Sequence, residues 1–277
     1  MSICTSSITA LIFALSLLFL ATSIAAQRIP KCGVRLTEPI QPQSVQNGGI
    51  RPMIEQWPWV GTLFIRFESD PPVFVCLVTI LNDRFVLTAG YCLTSTRHEV
   101  EASDLAVRIR MDSFDRNRHE FKVDEFHISN STDPLAALAL LRLMSEINLN
   151  LFASPVCLWE RDVAEQEFVG KNGSLVGWKS NLSGALEKNM RILNMVVVPS
   201  STCPVRQNVM TEKFCTKVLD DITYGHGDGG GGFYYEEEGK WYVRGIIVKF
   251  SVIELEEQYL SFADVTRQIK WIRNIIE

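Results

Sequence analysis

Short apolar and β-branched runs recur along the chain from about Trp57 onward. They read VFVCLVTI, RFVLTAGYC, LAALALLRL, SLVGW, MRILNMVVVP and KWYVRGIIVKF, and clusters of Asn, Gly, Asp and Ser separate them. Runs of this kind, bounded by turn formers, predict the strands of an all-β barrel or sandwich. The C-terminal stretch ADVTRQIKWIRNIIE breaks the pattern. There Val265, Ile269, Ile272 and Ile276 recur at helical spacing, and Asp264 stands where a cap belongs. The pattern therefore predicts a β domain closed by a terminal helix.

The beginning of the chain follows neither pattern. MSICTSSITALIFALSLLFLATSIAAQ is apolar for most of its length, carries no Lys, Arg, Asp or Glu, and ends in small residues. It is read as a secretory signal peptide over residues 1–26, cut after Ala25 or Ala26. As a membrane anchor its apolar run would be short. The segment after it is rich in Pro and Gln and predicts an irregular arm over residues 27–45, tied down through Cys32.

Composition changes the picture mainly by exclusion. The 277 residues are 47% hydrophobic and 21% charged, with a formal net charge of -5. That is enough length for one large domain or two small ones, and no tract offers the basic face that nucleic acid needs. Of the seven cysteines, Cys4 leaves with the signal peptide, and Cys32, Cys76, Cys92, Cys157, Cys203 and Cys215 remain. An even set in an oxidising compartment implies disulfides, whose pairing sequence alone leaves open. No metal is expected, because no CxxC occurs and His98, His119, His127 and His226 do not cluster with the cysteines. No cofactor is implied. Three sequons, at Asn130, Asn172 and Asn181, suit a secreted glycoprotein.

The stretch GHGDGGGGFYY, Gly225 to Tyr235, concentrates glycine around a lone Asp228. It is no P-loop, since the glycines lead into neither Lys-Ser nor Lys-Thr. It is no dinucleotide fingerprint either, since the residues after the glycines are aromatic and β-prone.

With QWPWVGTLF and CLVTILNDRFVLTAGYC, the run GDGGGG resembles the chymotrypsin/trypsin superfamily of serine proteases. The resemblance is spread over the whole mature chain. Gln46-Asn47-Gly48-Gly49 and Trp57-Pro58-Trp59 occupy the place of the family's Ile-Val-Gly-Gly and its Pro-Trp. Cys76 and Cys92 bracket the histidine strand, and Pro155-Val156-Cys157-Leu158 resembles the light-chain tether. Gly177-Trp178, Gly245-Ile246-Ile247 and Trp271-Ile272 come next, in the family's order. The resemblance implies two six-stranded antiparallel β-barrels with the active site between them, a C-terminal helix, and a peptidase domain over residues 46–277. It also implies the disulfides Cys32–Cys157, Cys76–Cys92 and Cys203–Cys215.

The family's triad needs three side chains, for attack, proton transfer and orientation of the base. Leu87-Thr88-Ala89-Gly90-Tyr91-Cys92 puts Tyr91 at the base, and Ala137-Leu138-Ala139-Leu140-Leu141 puts Ala137 at the orienting acid. Gly227-Asp228-Gly229-Gly230-Gly231-Gly232 puts Gly229 at the nucleophile and Gly232 at the family's proline. A phenol with a reference pKa of ~10 is a poor base at neutral pH, and glycine has nothing to attack with. Asp133, four residues before Ala137, is not expected to substitute. The oxyanion loop persists as Gly227, Asp228 and Gly229. The pocket persists as Thr223 at its base and Val248, Lys249 and Phe250 along its wall.

The resemblance thus implies an inactive homologue of the arthropod-like kind. Such a protein is secreted and extracellular and binds proteins, such as active proteases or their substrates, within a cascade such as innate immunity. It involves no nucleic acid, and no membrane once the signal is removed. The alternatives are a structural or storage-like domain and a retained serine-type endopeptidase activity. The family's activation switch reads as lost. Zymogens of the family are cut after a basic residue, and the new N-terminus pairs with the Asp beside the nucleophile. Here Val45 precedes Gln46, and Pro52 comes directly after the nearest basic residue, Arg51. Asp228 is therefore expected to lie in solvent or to pair with His226. Glu236-Glu237-Glu238-Gly239-Lys240 reads as a solvated hairpin tip, Tyr234 and Tyr235 as packing residues, and Ile253 to Glu257 as an acidic replacement of a specificity loop.

Overall fold

The computed structural model describes residues 32–35, 56–66, 72–94, 99–109, 120–161, 163–180, 186–204, 212–221, 224–254 and 257–277. Outside this range lie the signal segment, most of the arm, Gln46 to Gly49, Asn181 and Thr223. The apolar runs become strands. β1 (Val60–Ile65), β2 (Val73–Ile80), β3 (Phe85–Ala89), β4 (Leu105–Ile109), β5 (Glu120–Ile128) and β6 (Leu138–Leu143) close in the order β1-β2-β3-β6-β5-β4. Leu63, Leu77, Leu87 and Leu140 turn inward and are fully buried, so side chains fill the barrel.

The second barrel contains β8 (Asn172–Ser180), β9 (Leu186–Val198), β10 (Lys213–Val218), β11 (Gly232–Glu237), β12 (Lys240–Glu254) and β13 (Glu257–Asp264). Its order is β11-β8-β9-β10-β13-β12, closed by pairing of β11 with β12, and β7 (Cys157–Leu158) runs parallel to β12 outside the ring. Its core is aromatic. Phe214 stacks on Phe262 with ring centroids 5.5 Å apart, and Phe233 meets both edge-on. The fold is two closed six-stranded antiparallel barrels with one short C-terminal helix, Ile269–Ile276.

Two details depart from the sequence pattern. The run LAALALLRL enters its strand only at Leu138, because Pro134–Ala136 forms a 3₁₀ turn capped by Asp133, whose carboxylate accepts the Leu135 amide at 3.0 Å. At the C-terminus, Asp264 caps a 3₁₀ turn, Val265–Gln268, that precedes the α-helix. Its carboxylate accepts the Thr266 amide at 2.9 Å. The acidic stretch Glu236 to Lys240 is a hairpin tip, with Glu237 paired to Lys240 across Glu238 and Gly239.

The barrels meet along two seams. At one, Tyr234 of the second barrel packs on Trp57 and Trp59, ring centroids 5.8 Å apart in both pairs, and its hydroxyl hydrogen-bonds Thr79 of the first at 2.8 Å. At the other, the Thr132 hydroxyl donates to Glu212 at 3.0 Å, the Ser131 hydroxyl donates to the same carboxylate, and Asp133 pairs with the buried ammonium of Lys213. The structure joins Cys32 to Cys157, Cys76 to Cys92 and Cys203 to Cys215. Among the described residues no helix is long and apolar enough to cross a membrane.

Candidate functional site

The glycine loop crosses the gap between the barrels, held from both sides. The Gly229 carbonyl accepts the Leu77 amide of β2 at 2.7 Å, and the Gly231 carbonyl accepts the Ile247 amide of β12 at 2.9 Å. Between these anchors Gly230 adopts φ +73, the left-handed region open to glycine. The loop is thus a stitch between barrels, and its residues from Asp228 to Tyr235 are buried.

Tyr91 reaches this loop from the short helix Tyr91–Thr94 that comes after β3. Its phenol oxygen accepts the Gly230 amide at 3.1 Å and is hydrogen-bonded to Tyr224. A β-carbon at Gly229 would lie 2.9 Å from that oxygen. The phenol therefore occupies the space that a side chain at residue 229 would need. The same exchange of volume recurs at Gly232, where a β-carbon would lie 2.6 Å from the Tyr234 ring. Each of these two glycines is accompanied by an aromatic side chain that fills its vacancy.

Burial pushes the Tyr91 phenol up to about 12, against the opposing hydrogen bonds of the Gly230 amide and Tyr224. At pH 7 roughly one phenol in 10⁵ is then ionised. Burial likewise raises Tyr224, aided by the nearby oxygens of Tyr91 and Asp228. Ala137 lies beside Gly90, the residue before Tyr91, and offers no acceptor side chain; its carbonyl takes the Gly90 amide at 2.7 Å. The Asp133 carboxylate is engaged by Lys213 and the Leu135 amide.

Asp228 corrects the sequence expectation. It is not solvated; the His226 side chain, the other expected partner, lies outside the described residues. It is fully buried, and Arg191 of β9 supplies the counter-charge, with Nη2 on one carboxylate oxygen and Nε 3.3 Å from the other. The Gly225 amide donates at 2.9 Å. The physical reason is enclosure: a buried carboxylate without a cation is strongly disfavoured, and β9 passes close enough to provide one.

Burial pushes the Asp228 carboxyl up to about 6, with Arg191 and the Gly225 amide pulling the other way. The folded protein then holds this proton more tightly than the unfolded chain. Its contribution to stability is full below the ordinary carboxylate range and is lost as pH rises through about 6. Relative to Asp228→Asn, the unfolding free energy is expected to fall by roughly 2 kcal/mol between pH 4 and pH 7. Urea melts at intervals across that range read the slope, and a rise with pH would show that Arg191 outweighs burial.

The remaining predicted positions divide clearly. Val248 is buried in the core that spans both barrels, while Thr223 and the side chains of Lys249 and Phe250 lie outside the described residues. Asn130 and Asn172 are exposed. Tyr234 and Tyr235 are packing residues, as expected. Near the acidic stretch, Glu254 pairs with Glu257 across the β12–β13 hairpin, and the Glu257 carboxylate accepts from Lys217 and Tyr259. Sequence reasoning missed Arg191 and Tyr224.

Two closed barrels joined by a Gly-Asp-Gly loop define the chymotrypsin class of proteins. The trypsin family model matches residues 46–272, and the chain belongs to that family. It is similar to CLIP domain-containing serine protease B4 of Anopheles gambiae, 23% identical over 242 residues, covering 79% of this chain and 64% of that protein. It is also similar to clotting factor C of Tachypleus tridentatus, 26% identical over 283 residues, covering 91% of this chain and 27% of that protein. The chain thus spans less than two thirds of the length of either relative.

Proposed function

We propose that this chain is a non-catalytic member of the trypsin family that acts by binding other proteins in an extracellular protease cascade. The observation that carries the reading is the phenol of Tyr91 seated over Gly229, held by the Gly230 amide and by Tyr224. A nucleophile's place that is filled by a neutral phenol cannot form an acyl intermediate. Ala137 removes the orienting acid, so no part of the triad's proton transfer remains.

What persists is a rigid scaffold: two barrels, three disulfides and a loop fixed between them. Loops on such a scaffold bind partners without chemistry. The cleft face at the half-buried Tyr91, Tyr224 and Gly225 is the first candidate surface, and the β12–β13 hairpin at Glu254 to Glu257 the second. The apolar leader and the disulfides favour secretion, and Asn130 and Asn172 are positioned to carry glycans. The protease and clotting-factor relatives suggest a cascade setting.

A structural or storage-like domain is the rival, and it predicts no partner. Purified protein added to its native extracellular fluid is expected to co-purify with a specific protein and to change downstream protease turnover. If neither occurs at concentrations well above the native one, the regulatory reading falls and the structural one stands.

A further inference from the structure

Among the described residues, the side-chain and backbone donors to the Asp228 carboxylate, Arg191 and the Gly225 amide, come from the second barrel. Arg191 projects from the middle of β9 and is itself mostly covered, its side chain 14% exposed. It meets the carboxylate with two nitrogens, the fork geometry in which a guanidinium fixes both charge and direction. The Gly225 amide adds a third bond, at 2.9 Å. On the opposite side Gly177 leaves the room that the carboxylate fills, because a β-carbon there would lie 2.7 Å from Oδ1. Two further loop bonds depend on this placement: the Asp228 amide donates to the Gly225 carbonyl at 3.0 Å, and the Gly231 amide donates to the Asp228 carbonyl at 3.1 Å.

We propose that Arg191 is the positioning residue that fixes the Gly225–Gly232 loop permanently, so that the cleft surface is complete in the uncut chain and independent of any freed N-terminus. A chain end delivered to Asp228 would have to displace a buried, two-pronged guanidinium. The sequence adds a chemical obstacle. A cut between Val45 and Gln46 would expose a glutamine. The α-amine of such a residue attacks its own side-chain carbonyl carbon, a C–N bond forming as the bond to the amide nitrogen breaks. Ammonia leaves, and the neutral lactam that remains carries no cation to offer. This inference stands on the loop and not on any partner, so it and the partner-binding reading fail separately.

The test is amide hydrogen exchange at Gly225, Asp228, Gly230 and Gly231 in the full-length secreted protein. A second form carries a site for a sequence-specific protease placed before Gln46. Cutting that form is expected to leave exchange at these amides within about 2-fold of the uncut protein. Arg191→Met is expected to raise it by roughly 100-fold in cut and uncut forms alike, while strands of the first barrel keep their protection. Arg191→Lys keeps the charge and serves if the methionine variant fails to fold; its loop is expected to stay within about 10-fold of the original, cut or uncut. The proposal is overturned if cutting the unsubstituted protein slows loop exchange by about 10-fold or more. It is equally overturned if Arg191→Met exchanges like the original, or if the R191K loop becomes ordered only after cutting.

Discussion

Gly229→Ser, made alone, is expected to leave hydrolysis of peptide esters at the background of the unsubstituted protein, with no labelling by serine-directed phosphonates. The new β-carbon would stand 2.9 Å from the Tyr91 phenol oxygen, closer than unbonded atoms settle, so the hydroxyl arrives in space already filled. The serine would also lack a base, because burial holds that phenol at about 12. It would lack an orienting acid, because residue 137 is alanine. Loss of a complete triad lowers turnover by about 10⁶, and replacing one member recovers little of that, since the three act as a unit. Measurable turnover from the single change would mean that some other side chain serves as the base.

Gly230→Ala is expected to destabilise the protein by about 2–5 kcal/mol. Roughly 1–2 kcal/mol of this comes from forcing a β-carbon into the left-handed region, and roughly 1–3 kcal/mol from crowding a closed interior. The crowding has named partners. The new carbon would approach the Leu77 carbonyl to 2.7 Å and the Cys76 β-carbon to 3.0 Å, beside a Thr88 hydroxyl that already donates to the same carbonyl. Gly239→Ala is the matched control, since it shares the positive φ at the hairpin tip but meets nothing within 4 Å. Its expected loss is about 1–2 kcal/mol, the backbone component alone. Equal losses in urea melts of the two variants would show that the glycine loop is not pressed between the barrels.

Much of the fold was legible because strands buried on both faces read as apolar runs. VFVCLVTI coincides with β2, residue for residue. β5, EFKVDEFHI, is no apolar run, and the alternation that would mark a half-buried strand breaks at Asp124-Glu125, where its pairing with β6 slips register. The site divides in the same way. Tyr91, Ala137 and Gly229 each sit inside a local motif, so their identity could be read in place. Arg191 sits in a strand with no motif, 37 residues before the carboxylate it balances, and nothing local links a strand arginine to a distant aspartate. Tyr224 belongs to no motif of its own, and its contact with Tyr91 exists only after both barrels have closed.

The seam between Thr132 and Glu212 sets a clock. Thr132 is the hydroxyl residue of the sequon that begins at Asn130, and the residue that ties it down is made 80 positions later. At chain growth of about 5–20 residues per second, the sequon stays untied for an interval of about 4–16 s. A glycan attached within that interval meets a free hydroxyl; one attempted afterwards meets a hydroxyl already donating to a carboxylate, beside an ion pair that clasps the next residue. In a chain that folds as it enters an oxidising compartment, occupancy at Asn130 would therefore record the pace of synthesis, with slower growth leaving more molecules glycosylated there.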